Sequence, residues 1–384
     1  MDSTHKVGPV DPITGIIETE TEKVDLKGLL PGELGDFVAK LGEARYRGLQ
    51  IFQWIHQKQA NSFDEMTNLP KELRNRLAEV ASLTNLSELA RQVSEDGTIK
   101  FLFGLADGNA VEAVRMEYEH GLAACVSTQV GCRMGCAFCA TGYGGFERDL
   151  RTGEIVDQVL QIQRDLRVRV GAARDGEKQE SARGHGERRV GNVVLMGSGE
   201  PLDNYDASVK FMRILNDPDG LGISYRRITL STCGLVPGIR RLAGEGLSIT
   251  LSVSLHATSD ELRDELVPIN RRFCIAELMQ ACREYAESTG RRVTFEYILI
   301  KGVNDGDADA VALAGLVAGF PSHVNLIPLN PVDSAEFERP EPFRVRRFQR
   351  ILEDHGVQAT IRRELGSDID AACGQLRSRS LWRG

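Results

Sequence analysis

Six short runs of apolar and β-branched residues recur after residue 98: AACVSTQV (123–130), NVVLMG (192–197), RITLST (227–232), SITLSVSL (248–255), VTFEYILI (293–300) and HVNLIPL (323–329). Helical patterns separate them. One begins near Thr152 and places Ile155, Val159 and Ile162 on one face; NYDASVKFMRIL and CIAELMQACREYAEST are two more. Strands alternating with helices predict βα units and a parallel sheet. The near-continuous apolar character of the runs predicts strands buried on both faces. Six strands are too few to close a (β/α)8 barrel. The expected fold is therefore α/β, a partial (β/α)6 barrel whose open side admits a large substrate. Chemistry on such a scaffold belongs on the loops that follow the strands.

The segment 45–83 carries apolar residues at three- and four-residue steps, Leu49, Phe52 and Ile55, then Leu73, Leu77 and Val80. That period predicts helices, and Pro70 suits a helix start. We expect a small N-terminal helical domain over 31–95, preceded by a flexible arm over 1–30. IKFLFGLADGNAVEAVRMEY (99–118) predicts a hairpin inside a 96–122 linker. The barrel is expected over 123–340, with the polar, Gly-rich stretch 170–190 as a surface insertion. A C-terminal segment, 341–384, completes the chain. No cationic start precedes an apolar run, and no stretch of about eighteen apolar residues occurs. A cytoplasmic protein without membrane attachment is expected. In that compartment its eight cysteines are metal ligands, catalytic groups or core residues rather than structural disulfides. A net charge of −8 argues against a broadly basic nucleic-acid binder, but the basic residues gather in 341–384, with nine Arg against six acids.

GCRMGCAFCATG (131–142) places Cys132, Cys136 and Cys139 at C-x3-C-x2-C spacing directly after the first barrel run. A structural zinc site takes four protein ligands, and His256 or Cys125 would have to supply the fourth. A [4Fe–4S] cube has four irons, each needing an outer ligand. Three thiolates leave one iron open to a cofactor or substrate. Two further loops fit the second reading. In GSGEP (197–201), after the second run, Gly199 permits close approach and Glu200 can accept hydrogen bonds from an ammonium. SLHA (254–257) ends the fourth run, although His256 taken alone suits a core position equally well.

With Phe138 before its last cysteine, the C-x3-C-x2-C motif resembles that of the radical S-adenosylmethionine (SAM) superfamily. CVSTQVGCRMGCAFCATG, MGSGEPLDNYD, STCGLVPGI, SVSLHA, EYILIKGVND, NLIPLNP and DIDAACGQL follow one another in this order. Together with RYRGLQIFQWIHQK and MTNLPKELR upstream, they resemble the RlmN/Cfr family of RNA methyltransferases along nearly the whole chain. The resemblance implies a [4Fe–4S] cluster on Cys132, Cys136 and Cys139, and two SAM molecules per turnover. The implied SAM contacts are Gly199, Glu200, Ser231, Ser254, Leu255, His256 and Asn330. It further implies methylation of C2 of an adenine in 23S rRNA and, next to the anticodon, in a subset of tRNAs. Cys373, in AACGQL, would carry the methyl as S-methylcysteine and become linked to the base. Glu112, in AVEAV, would accept the C2 proton. Cys125 would then attack the sulfur of Cys373, releasing the RNA and leaving a disulfide for an external reductant to reset. The implied partners are rRNA, tRNA and an electron donor such as flavodoxin, with the chain a monomer. Cys233, Cys274 and Cys282 match no catalytic position. The helical domain and the arginines at 344, 346, 347, 350, 362 and 363 are candidate RNA-backbone contacts. Two other readings remain: methylation at C8 with the same machinery, and a non-catalytic metal-binding RNA-binding protein, against which the pair Cys125 and Cys373 speaks. The chain departs from the family pattern at Ser198, where MGMGEP is usual, and in the length of 170–190.

Overall fold

The computed structural model describes residues 23–119, 121–176, 189–330, 337–372 and 374–376. Ten strands form the main sheet and lie in it in their order along the chain. They are β1 (Ser87–Val93), β2 (Ile99–Gly104), β3 (Ala110–Tyr118), β4 (Gly121–Cys125), β5 (Val190–Leu195), β6 (Ile228–Thr232), β7 (Thr250–Ser254), β8 (Val293–Leu299), β9 (Ser322–Pro328) and β10 (Ala359–Ile361). Strands β1 to β4 pair antiparallel. From β4 to β10 every pairing is parallel, so the loops after those strands emerge on one rim.

The six apolar runs are β4 to β9, and helices follow them, among them Thr152–Gly176, Tyr205–Asn216, Val236–Ala243, Ile275–Thr289 and Asp307–Val317. The expected partial barrel is present, extended by β10 on one edge and the antiparallel strands on the other. Burial on both faces is only partly realised. Along β6, Ile228, Leu230 and Thr232 are buried while Thr229 and Ser231 are half-buried. The first set packs beneath the helices and the second lines the open interior. Polar groups on that inner face satisfy one another: Ser252 Oγ donates to Glu296 Oε1 at 2.6 Å, and Asn325 Nδ2 to Glu296 Oε2 at 2.8 Å.

Helices Pro31–Lys40, Tyr46–His56 and Lys71–Val80 form the N-terminal region. Their core face is narrower than the period suggested, since Leu49 and Val80 are exposed. Three further expectations change. Residues 23–30 are not a loose arm: Val24–Asp25 pairs with Ala81–Ser82, and Leu26–Gly28 is a buried turn. The stretch 31–95 is not all helix, because Ser87–Val93 is an edge strand whose residues are almost all exposed. The helix from Thr152 runs to Gly176, into the stretch read as an insertion; residues 177–188 and 1–22 lie outside the described residues.

One buried ion pair joins this region to the barrel. Lys27 Nζ lies 2.7 Å from Asp157 Oδ1 on the first barrel helix, and neither side chain is exposed. Asp157 also accepts from Leu86 N at 2.7 Å and Arg164 Nη2 at 3.0 Å. Removing one partner of such a pair strands a buried charge. Asp157→Ala is therefore expected to lower stability by about 3–5 kcal/mol in urea denaturation; a loss typical of surface pairs would contradict this. Beside it, His56 is fully buried against Phe52, with neither ring nitrogen paired within the protein. Burial, aided by the Lys27 charge, lowers its pKa from 6.5 to about 3. The unfolded chain then binds the extra proton between those values. Stability due to the neutral ring is full above pH 6.5 and drains away as pH falls toward 3, by up to about 1.4 kcal/mol per pH unit. His56→Phe should be more stable than the parent, with a gap that widens between pH 7 and pH 5 in chemical denaturation. Parallel pH curves would count against it.

Candidate active site at the strand C-termini

The cysteine loop leaves β4 and is shaped by a tight backbone crossing. Gly131 has φ +75°, and a Cβ there would stand 1.9 Å from the Gly145 carbonyl. Cys132 N donates to that carbonyl at 2.9 Å. The loop is pinned at two more points, Ala137 N to Leu266 O at 3.0 Å and Ala140 N to Gly374 O at 2.7 Å. Cys132, Cys136 and Cys139 are half-buried and none is in a disulfide. Burial pushes the Cys132 thiol up to about 12 and the Cys136 thiol well above its usual range, with the neighbouring thiols and Glu200 adding to both shifts. The Cys132 and Cys136 sulfurs, buried beside a carboxylate, resist ionisation. A positively charged group between them is what would hold them as thiolates, the form that ligates metal.

The loop after β5 lies against this one. Gly199 has φ +105°, and a Cβ would come within 2.6 Å of the Gln129 side chain. Gln129 Oε1 accepts from Glu200 N at 2.8 Å, while its Nε2 donates to Asp149 at 2.7 Å and Asp203 at 2.9 Å. Glu200 is buried, and its two oxygens accept from Leu202 N at 2.9 Å and Cys233 N at 2.8 Å. Burial raises its pKa and these backbone bonds oppose the rise. The Cys233 and Thr232 side chains also hydrogen-bond this carboxylate and oppose the rise. Ser198, at the position that departs from the family pattern, is buried; its hydroxyl has no protein partner, while its N donates to Ser127 Oγ at 2.9 Å.

Ser254 ends β7, and the loop after it carries Leu255 and His256. His256 is buried with φ +62°, and its ring meets Phe138 edge-on at 4.8 Å. Ile298 N donates to its Nδ1 at 3.0 Å. Burial, with Arg263 nearby, lowers its pKa to about 3. The ring is thus neutral, with its proton on Nε2. These bonds occupy His256 as a packing and positioning group and leave the zinc reading without its fourth ligand there. Arg263 was not anticipated from the sequence. Fully buried, it donates to Leu255 O at 3.0 Å, Cys233 O at 2.7 Å, Ser254 O at 3.1 Å and Asn270 Oδ1 at 3.0 Å, holding the ends of β6 and β7 together. An arginine in DELRDEL looks like a solvated helix charge, and only the fold shows the carbonyls it meets. Gln129, inside a strand-like run, was missed for the same reason.

A shallow cleft opens at the strand ends, lined by Cys125, Met196, Asn330, Arg362, Ala371 and Ala372 among others. Cys125 and Asn330 thus share one space with the residues preceding Cys373, which itself lies outside the described residues. Ser231 is half-buried on the inner face of β6. Glu112 is buried on β3, 3.3 Å from Lys100 Nζ. Of the candidate RNA-contacting arginines, Arg362 instead reaches inward, with Nη1 3.7 Å from Met196 Sδ and 3.8 Å from Glu296 Oε2, and Arg347 is engaged by Asp307.

Residues 24–83 match the family described as the ribosomal RNA large subunit methyltransferase N-terminal domain, and 177–314 match the radical SAM superfamily. A probable dual-specificity RNA methyltransferase RlmN from Symbiobacterium thermophilum is 52% identical over 95% of this chain and 94% of its own. The chain belongs to the RlmN family. A counterpart in Moorella thermoacetica, also named a probable dual-specificity RNA methyltransferase RlmN, is 51% identical over 93% of this chain and 98% of its own. A crystal structure of a radical SAM methyltransferase from Sphaerobacter thermophilus superposes with a TM-score of 0.84 at 48% identity, covering 92% of this chain and 99% of that one. Membership in the RlmN family makes the chain a radical SAM enzyme with a [4Fe–4S] cluster and SAM as cofactors. Three half-buried thiols on one loop, none in a disulfide, are the donor type such a cluster takes, and Gly199 and the buried Glu200 lie on the neighbouring loop. The superfamily match begins after the cysteine loop, so Cys132, Cys136 and Cys139 make an independent argument.

Gly199→Ala should weaken SAM binding by about tenfold or more, because positive φ costs a β-carbon about 1–2 kcal/mol before the collision with Gln129. Iron and sulfide content after anaerobic reconstitution should stay unchanged. Loss of iron together with SAM affinity would contradict the division of labour between the two loops.

Proposed function

We propose that this enzyme methylates C2 of a specific adenine in 23S rRNA and in a subset of tRNAs, next to the anticodon. The observation that carries the reading is the cleft: the Cys125 thiol, the segment bearing Cys373 and an inward-reaching Arg362 border one space, and the turn after Cys139 is hydrogen-bonded to that segment. C2 of adenine is electron-poor and does not attack a sulfonium methyl as a ring nitrogen would. The bound cluster and SAM supply one-electron chemistry that avoids this barrier.

The residues then have separate roles. Cys132, Cys136 and Cys139 hold the cluster. Gly199, Glu200, Ser231, Ser254, Leu255, His256 and Asn330 form the SAM site, with Glu200 facing its ammonium. Cys373 carries the methyl to the base, and the cleft takes up an adenine drawn from its stack. Glu112 accepts the proton that leaves C2. Cys125, as thiolate, attacks the sulfur of Cys373; a disulfide forms, the bond from that sulfur to the transferred carbon breaks with its electron pair passing to the base, that carbon takes up a proton to become the methyl, and an external thiol reductant restores both cysteines. The helical region and the exposed arginines of 342–354 approach the RNA backbone. We also infer a cytoplasmic monomer served by an electron donor such as flavodoxin; among the described residues no helix is long and apolar enough to cross a membrane.

The test uses reconstituted enzyme, methyl-labelled SAM and an rRNA fragment, with the product mapped by nuclease digestion and mass spectrometry. Label at adenine C2 is expected; label at C8 would overturn the choice of carbon, and a colourless zinc protein without transfer would overturn the enzyme reading. Cys373→Ala should lose transfer and keep its iron. Cys125→Ala should accumulate an RNA–protein crosslink.

A further inference from the structure

Lys100 is the second residue of the buried strand β2, and no role above uses it. A lysine in such a place needs partners, and Lys100 has two on different parts of the molecule. Its ammonium stands 3.3 Å from Glu112 Oε1 on the adjacent strand β3, with both side chains buried. The same ammonium donates to the Asp370 carbonyl at 3.2 Å. Asp370 stands three residues before Cys373.

That carbonyl is aimed by an unusual backbone. Asp370 has φ +51° and follows the short turn Ser367–Ile369, which begins after Gly366 at φ +67°. A residue with a β-carbon adopts that region at a cost, so the surroundings must hold it there. They do so from both sides. Asp368 accepts from Ser94 Oγ and from Glu95 N at 3.2 Å, and Gly366 N donates to Asp96 Oδ2 at 2.9 Å, docking the segment on the β1–β2 turn. Beyond Cys373, the Gly374 and Leu376 carbonyls accept from Ala140 N at 2.7 Å and Thr141 Oγ1 at 2.8 Å, beside the cysteine loop. The terminal torsion of a glutamate is broad and roughly two-fold. An ion pair from a buried ammonium to one oxygen restricts the rotation of the carboxylate.

We propose that Lys100 is a positioning residue for the methyl transfer: by bonding Glu112 and the Asp370 carbonyl with one ammonium, it holds the proton-accepting carboxylate in register with the loop that carries Cys373. The inference rests on the roles proposed for Glu112 and Cys373. It concerns one step, a proton transfer in which the C2–H bond of the RNA–protein adduct breaks, its electron pair stays with the purine and a Glu112 oxygen gains the proton. Loading of a methyl onto Cys373 precedes that step and does not involve Glu112.

The experiment compares parent, Lys100→Met and Lys100→Arg holoenzymes in a single turnover with an rRNA fragment. Intact-protein mass reads the methyl on Cys373; gel shift and mass read the RNA–protein adduct and the released product. With Lys100→Met, methylation of Cys373 should stay within about twofold of the parent, while product release falls roughly 10²-fold and the adduct accumulates. Deuterium at adenine C2 should slow decay of that adduct further. Lys100→Arg keeps a cation at the site and should restore release to within about tenfold of the parent. Unchanged release in Lys100→Met, equal loss of Cys373 methylation and release, or no rescue by arginine would each overturn the proposal. Should Lys100→Met not fold, Lys100→Arg decides alone: normal Cys373 methylation with an adduct lifetime lengthened by no more than about tenfold supports it, and a parent-like lifetime, a greater lengthening or uniform loss of both steps refutes it. A parent enzyme that never methylates C2 would instead strike the reading on which this inference rests.

Discussion

The contact between the Gln129 side chain and the Gly199–Glu200 backbone fixes the spacing of the two loops on which the chemistry depends. Gln129 belongs to the lead-in of the cysteine loop, and Gly199 and Glu200 follow the next parallel strand. Parallel pairing brings both loops to the same rim, where Thr128 N and Gln129 N donate to the Ser198 carbonyl at 2.8 and 3.2 Å. The amide of Gln129 adds to these backbone bonds, accepting from Glu200 and donating to Asp149 and Asp203. The missing β-carbon at 199 lets the backbone reach it. A β-carbon at 199 would collide with the Gln129 side chain and push the two loops apart.

A second buried polar group extends the arrangement to the next strands. The Arg263 guanidinium ties carbonyls at the ends of β6 and β7, and in doing so places the His256 loop against Phe138 in the cysteine loop. Burial lowers the pKa of Arg263, a cost offset by four hydrogen bonds of good length. The rim thus combines buried polar ties with an apolar cluster in which Phe138, Leu266, Val267 and Ile298 pack against Cys136 and Cys139.

Much of this was legible in the sequence. Six apolar runs became six parallel strands because alternation with helices leaves few other folds, and the cysteine spacing announced its own loop. The failures share a physical cause. Ser87–Val93 is an exposed edge strand, so it lacks the apolar pattern that reveals strands. Lys27 looked like part of a solvated arm because its partner Asp157 is 130 residues away. Gln129, Arg263 and Lys100 are single polar residues whose meaning comes from carbonyls and carboxylates brought to them by tertiary structure. Local pattern carries no trace of such partners, apart from the oddity of a lysine inside IKFLFG.

The most direct measurement is electron–nuclear double resonance on anaerobically reduced protein mixed with SAM labelled at its amino nitrogen and carboxylate oxygen. Three cysteine ligands and one open iron predict coupling of both labels to a single iron of a [4Fe–4S] cluster. Absence of that coupling, with a fourth protein side chain on the same iron, or a metal other than an iron–sulfur cube bound to Cys132, Cys136 and Cys139, would contradict it.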